Sequence, residues 1–155
     1  MPDNLLDHRS AVTPLLTVPK TPEALEFYAE AFGAEELFRL TMPDGAVVHA
    51  QMLVHGALVM LADEDADHGH LSSASLGGSP VKLHLTVPDV DDVVARAKAA
   101  GAEELIPVGD QFYGERSGRV RDPFGHVWIV STITEAVAPE EMQRRMDAMM
   151  GGSAA

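Results

Sequence analysis

Three observations predict an α+β fold built from two β-α-β-β-β units. Leu16-Thr17-Val18-Pro19 recurs as Leu85-Thr86-Val87-Pro88, an offset of 69 (85 − 16). Gly33-Ala34-Glu35-Glu36-Leu37 recurs as Gly101-Ala102-Glu103-Glu104-Leu105, an offset of 68 (101 − 33). Gly56 and Gly125 are again 69 apart (125 − 56), so Leu58-Val59-Met60-Leu61 overlays Val127-Trp128-Ile129-Val130. One offset near both the first and the last strand argues for duplication of the whole unit. Two like halves should face each other, with the function in the space between them.

The elements follow in order. Residues 1–10 are polar and read as a flexible tail. Residues 11–18 are apolar and partly β-branched, a first strand ended by Pro19. Thr21 is a good N-cap, and Pro22 suits the first helical position. Ala24, Leu25, Phe27, Tyr28, Ala31 and Phe32 then make one broad apolar face at helical spacing, and Gly33 closes the helix. Strands over 36–42, 46–54 and 57–62 are separated by Pro43-Asp44-Gly45 and His55-Gly56. The first unit is therefore 11–62, and the polar stretch 63–80 is a loop.

The second unit, 81–132, repeats the plan. A strand over 81–87 leads to a helix over 90–100, capped by Asp89 and stopped by Gly101. A strand over 103–108, a loop over 109–117 and strands over 118–122 and 126–132 complete it. The duplicated domain spans 11–135. A C-terminal helix, 136–150, starts at Pro139-Glu140-Glu141, with acids in its first turn. Its stripe of Met142, Met146, Met149 and Met150 suits packing onto the sheet or a partner subunit. Residues 151–155 read as a frayed end.

Composition narrows the function classes. The chain has 155 residues, 46% of them hydrophobic, enough for one sizeable core. Cys is absent, which removes disulfides and thiolate chemistry. No apolar run approaches the ~20 residues of a membrane span, and no secretion signal is seen, so the expected location is cytoplasmic. The net charge of −13 argues against nucleic-acid binding. It serves solubility, or attracts a cationic small molecule. Asp63-Glu64-Asp65-Ala66-Asp67 with His68 and His70 fails as an EF-hand, which needs Gly where His68 stands and Glu where Ala74 stands. It reads as a solvated loop.

Paired β-α-β-β-β units in an acidic, Cys-free chain resemble the vicinal oxygen chelate superfamily, which includes glyoxalase I, the extradiol dioxygenases and the bleomycin-resistance proteins. Ala24-Leu25-Glu26-Phe27-Tyr28, Met60-Leu61-Ala62-Asp63-Glu64 and Asp122-Pro123-Phe124-Gly125-His126-Val127-Trp128 narrow the likeness to its PhnB-like branch over 11–135. The resemblance implies a curved mixed sheet in a cavity-bearing, glyoxalase-like module. It also implies homodimerisation and a small-molecule ligand. Metal-dependent members place one ligand on the first and last strand of each unit. Those places fall at Thr13, Met60, Lys82 and Ile129, where the family expects His, Gln or Glu. Met and Ile supply no hard donor. A degenerate metal site is therefore expected, with no metal and no cofactor.

Alternation from Lys82 predicts which side chains face the cavity. Lys82 and His84 point there together and are the candidate catalytic residues. A cavity Lys must meet an anion or lower its pKa, and His84 can carry a proton near neutral pH. In the blander case Lys82 snorkels to solvent and His84 bonds a neighbouring backbone group. His49, Gln111, Tyr113 and Arg116 are further candidate ligand contacts. His49 lines the cavity or, as such residues more often are, is an ordinary strand residue; Gln111, Tyr113 and Arg116 lie in a loop that overhangs the cavity or simply faces solvent. The leading expectation is a metal-free small-molecule-binding protein. An isomerase or lyase using Lys82 and His84, or a metal held unconventionally by His49 and His84, is the alternative. Sequestration of a cationic antibiotic is a third.

Overall fold

The computed structural model describes residues 7–151. The first unit comprises β1 (Leu15–Val18), α1 (Thr21–Phe32), β2 (Glu35–Thr41), β3 (Val47–Val54) and β4 (Ala57–Asp63). A short helix, α2 (Ser73–Leu76), lies in the connection. The second unit comprises β5 (Lys82–Thr86), α3 (Val90–Ala100), β6 (Glu103–Asp110), β7 (Glu115–Arg121) and β8 (Val127–Ile133), and α4 (Pro139–Gly151) follows. Most of the expected N-terminal tail, and residues 152–155, lie outside the described residues.

The two four-stranded sheets have matching orders, β1-β4-β3-β2 and β5-β8-β7-β6. Leu15 of β1 lies opposite Met60 of the parallel β4, and His84 of β5 lies opposite Ile129 of β8. These pairs are 69 apart (84 − 15 and 129 − 60), so the register repeats with the sequence. The irregularity between Glu36 and Phe38 recurs between Glu104 and Ile106. Duplication extends to a β-bulge.

Several local expectations need correction. β1 begins at Leu15 rather than residue 11, because Pro14 has no N–H for the ladder. Thr21 is not the cap of α1. It is buried inside the first turn, and its N–H donates to Asp63 Oδ1 at 2.7 Å. Asp63 also accepts from Val47 N at 3.0 Å, so a carboxylate from the end of β4 supports the positive end of α1. The 63–80 connection contains a 3₁₀ turn, Ala66–His68, besides α2. The loop expected over 109–117 shrinks, because β6 runs to Asp110 and β7 starts at Glu115. Gly33, by contrast, caps α1 in the left-handed conformation, and Asp89 caps α3 by accepting from Asp92 N.

The halves join through their helix sides. The apolar residues expected on α1 are all buried and pack on α3 as well as on the first sheet. Phe32 lies 4.7 Å from Trp128 and Phe27 5.9 Å from Phe124, ring centre to ring centre, so an aromatic cluster spans both units. Inside it Asp122 is buried and accepts from Tyr28 Oη, Trp128 Nε1, Phe124 N and His126 N. Burial, then the Asp122 charge, holds the Tyr28 phenol well above its ordinary range. His126 adds a second tie. Its Nε2 bonds the Thr17 carbonyl at 3.1 Å and its Nδ1 bonds Ser73 Oγ at 3.3 Å. The carbonyl can only accept, so Nε2 carries a hydrogen.

Candidate functional site

With the helices on one side, the other face of each sheet is open. On β5 alternation turns Leu85 to the core and leaves Lys82, His84 and Thr86 on the open face. Pairing carries that face across the sheet: His84 and Arg119 both lie opposite Ile129, and Ser117 lies opposite Ser131. Glu115, Ser117 and Arg119 of β7 therefore share it.

A hollow of about 460 Å³ opens here. Its polar lining is His84, Gln111, Tyr113, Glu115, Ser117 and Arg119. Ile106 and Ile129 give it apolar patches, and Met142 of α4 adds one wall. Arg145, one turn on, anchors that helix by donating to the Phe112 carbonyl and the Glu135 carboxylate, both at 2.8 Å. The first unit contributes nothing to this lining. The helices occupy the junction between the halves, so the shared space expected there is not this hollow. A smaller one, about 360 Å³, does lie between the units, with Thr17, Leu83 and His126 among its walls.

His84 Nε2 bonds Ser131 Oγ at 2.8 Å and stands 3.5 Å from Glu115 Oε2. That carboxylate oxygen is buried and has no hydrogen-bond partner among the described residues. Arg116 and Arg121 are ion-paired with Asp91 and Glu103. Arg119, half-buried between them in sequence, makes no ion pair among the described residues. The hollow thus holds an orphaned acceptor at one end of a strand and an uncommitted guanidinium toward the other.

Of the residues singled out from sequence, His84, Gln111 and Tyr113 come together. Lys82 is exposed on the same face but outside the lining. Arg116 is not a loop clamp. It lies on β7, and its guanidinium is taken up by Asp91 and Asp110, which hold it well above its ordinary range. His49 sits on β3 of the other sheet, 3.1 Å from Gln51 Nε2. Glu115, Ser117, Arg119 and Met142 were missed. The polar alternation Glu115-x-Ser117-x-Arg119 was the available signal, hidden by starting that strand at Gly118.

Residues 6–130 match the Glyoxalase/Bleomycin resistance protein/Dioxygenase superfamily. The chain belongs to this superfamily. It is 40% identical over 145 residues to an uncharacterized protein of Mycobacterium bovis, covering 92% of this chain and 95% of the relative. TioX of Micromonospora sp. ML1 is a structural neighbour with TM-score 0.62 and 28% identity, covering 83% of this chain and all of TioX. A PhnB protein from Bacillus cereus, at 21% identity, TM-score 0.64 and coverage of 79% and 99%, shares the fold. α4 lies beyond residues 6–130, the part that the superfamily matches.

The superfamily's metal positions can be tested on donor chemistry. Met60 is buried, Ile129 lines the hollow, Lys82 is exposed and Thr13 precedes β1. A thioether, an alkyl chain, an ammonium and a hydroxyl do not make a site for a borderline or hard divalent ion. Among the described residues no group of three or more His, Cys, Asp or Glu side chains converges. The side chains at the four positions that the resemblance assigns do not fit the family's metal. No described helix is long and apolar enough to cross a membrane.

Proposed function

We propose that this chain is a small-molecule-binding member of the superfamily that works without the family's metal. The observation that carries the reading is the convergence of His84, Gln111, Tyr113 and Arg119 on one hollow of about 460 Å³. That size suits a small organic ligand, and a few polar groups among apolar walls are what such sites use. The side chains at Thr13, Met60, Lys82 and Ile129 support independence from metal. The half-exposed Leu15 and Leu40 on the open face of the first sheet support a homodimer. The Asp122-to-Trp128 segment, where the core joins the halves, supports placement in the PhnB-like branch.

Thermal-shift and metal analysis test the reading together. The purified protein should carry no stoichiometric transition metal, and Mn²⁺, Ni²⁺ or Zn²⁺ should leave its melting temperature unchanged. A divalent ion retained through dialysis at one per chain would overturn the metal-free part.

A second reading is favoured by the 3.5 Å approach of His84 Nε2 to Glu115 Oε2. This pair could move a proton on a bound substrate, as in an isomerase or lyase, with Glu115 replacing Lys82 as the partner of His84. Under it His84→Ala abolishes turnover; under the first reading it alters affinity alone. Sequestration of a cationic ligand is less well supported, because Arg119 places a cation in the hollow.

A further inference from the structure

Resting on that hollow being the binding site, we infer that its ligand is dipolar: an anionic group at one end, a hydrogen-bond donor or cation at the other, and an apolar body between. Two unsatisfied groups on one strand carry the inference. Arg119 lines the hollow and has no ion-pair partner among the described residues, whereas Arg116 and Arg121 on the same strand are both paired. Glu115 Oε2 is buried without a hydrogen-bond partner among the described residues. A buried acceptor left unsatisfied is costly, so a ligand donor that reaches it gains a bond. Its neighbour His84 stands 3.5 Å away and makes its hydrogen bond with Ser131 Oγ instead, at 2.8 Å.

The spacing selects the kind of dipole. Residues 115 and 119 both face the hollow, and four residues of strand separate their Cα atoms by roughly 13 Å. With Ser117 between them on the same face, the two groups approach the hollow from separate points of the strand. An α-amino acid, with both charges on one carbon, does not match. A molecule with its anion and its donor at opposite ends of a ring does. The carboxylate or phosphonate-like end takes the Arg119 fork, the ring lies against Ile129 and Met142, and the donor end reaches Glu115.

Three matched probes test this on the wild-type protein: 4-(aminomethyl)benzoate, 4-methylbenzoate and 4-methylbenzylamine. Binding is read from the methyl NMR signals of Ile106, Ile129 and Met142, with the probes titrated into the millimolar range. The dipolar probe should bind about tenfold or more tighter than either truncated probe. Arg119→Gln should remove its advantage over the amine, and Glu115→Gln its advantage over the benzoate. If 4-methylbenzoate binds as tightly as the dipolar probe, the dipolar inference fails while the hollow stands as a binding site. If no probe moves those methyl signals, the binding site itself is refuted.

Discussion

The phenol of Tyr28, on α1 of the first unit, donates to the carboxylate of Asp122 in the β7–β8 turn of the second. Asp122 receives three more donors, from Trp128 and from two backbone amides of its own turn. A fully satisfied buried carboxylate thus holds the turn, and a residue 94 positions away closes the joint between the duplicated halves. Tyr28→Phe removes one charge-assisted bond and little volume. It should lower stability by about 1.5–3 kcal/mol with unchanged far-UV circular dichroism, as read from urea melts. The same bond makes stability fall at high pH. The folded-state pKa of Tyr28 is raised, so its contribution is complete below the unfolded value near 10 and is lost as pH rises through the folded one. Wild type should lose stability above about pH 10 more steeply than Tyr28→Phe; equal slopes would contradict the buried pair.

Gly114 sits in the β6–β7 turn with φ of +89°, and a Cβ there would lie 2.3 Å from the Glu135 carbonyl oxygen. Its own carbonyl accepts from the amides of Thr134 and Glu135. Gly114→Ala therefore combines backbone strain with a backbone clash. It should cost about 2 kcal/mol or more and push out the segment leading to α4. Hydrogen exchange at residues 134–146 should rise with it; unchanged exchange would show that the segment is not held there.

Much of the fold was legible because duplication writes it twice. The offset between the Leu16 and Leu85 motifs fixed the plan, and strand pairing reproduces it at Leu15–Met60 and His84–Ile129. The apolar spacing of Leu25, Tyr28 and Phe32 placed the face of α1 correctly. How the halves would meet was not legible. The aromatic residues announce a core, but nothing local says that α1 packs on α3 and brings Phe32 against Trp128.

The site was half legible for a similar reason. His84 follows from alternation along one strand, which sequence supplies. Glu115 and Arg119 follow from the register of β7 on β8, which sequence does not. Arg116 looked like the clamp because a long polar loop was expected where β7 in fact begins. The two arginines should now separate experimentally. Arg116→Leu, which breaks only exposed pairs with Asp91 and Asp110, should leave binding of 4-(aminomethyl)benzoate unchanged in an isothermal titration. Arg119→Gln should weaken it about tenfold. The opposite pattern would return the anion contact to Arg116.

The wall supplied by α4 depends on charge. Arg145 grips Glu135, Glu141 and the Phe112 carbonyl. Hydrogen bonds from Arg144 and Arg145 hold the Glu141 carboxyl down to about 2, and Arg145 lowers that of Glu135. Carboxylates with depressed folded-state values stabilise the docked helix fully above the unfolded value near 4.5. That contribution is lost as pH falls from there toward about 2. The Glu141 pairs lie within α4 and support the helix itself, whereas docking rests on the Glu135 pair and the Phe112 carbonyl. Acid that protonates Glu135 should therefore loosen α4 and its Met142 wall while the Phe112 bond persists. Arg145→Ala should release the helix already at neutral pH. Limited proteolysis within 139–151, followed by mass spectrometry, separates the two states. Rapid cleavage of wild type at neutral pH would mean that the helix is not docked; protection of Arg145→Ala would mean that apolar contacts at Met142 hold it without the ion pairs.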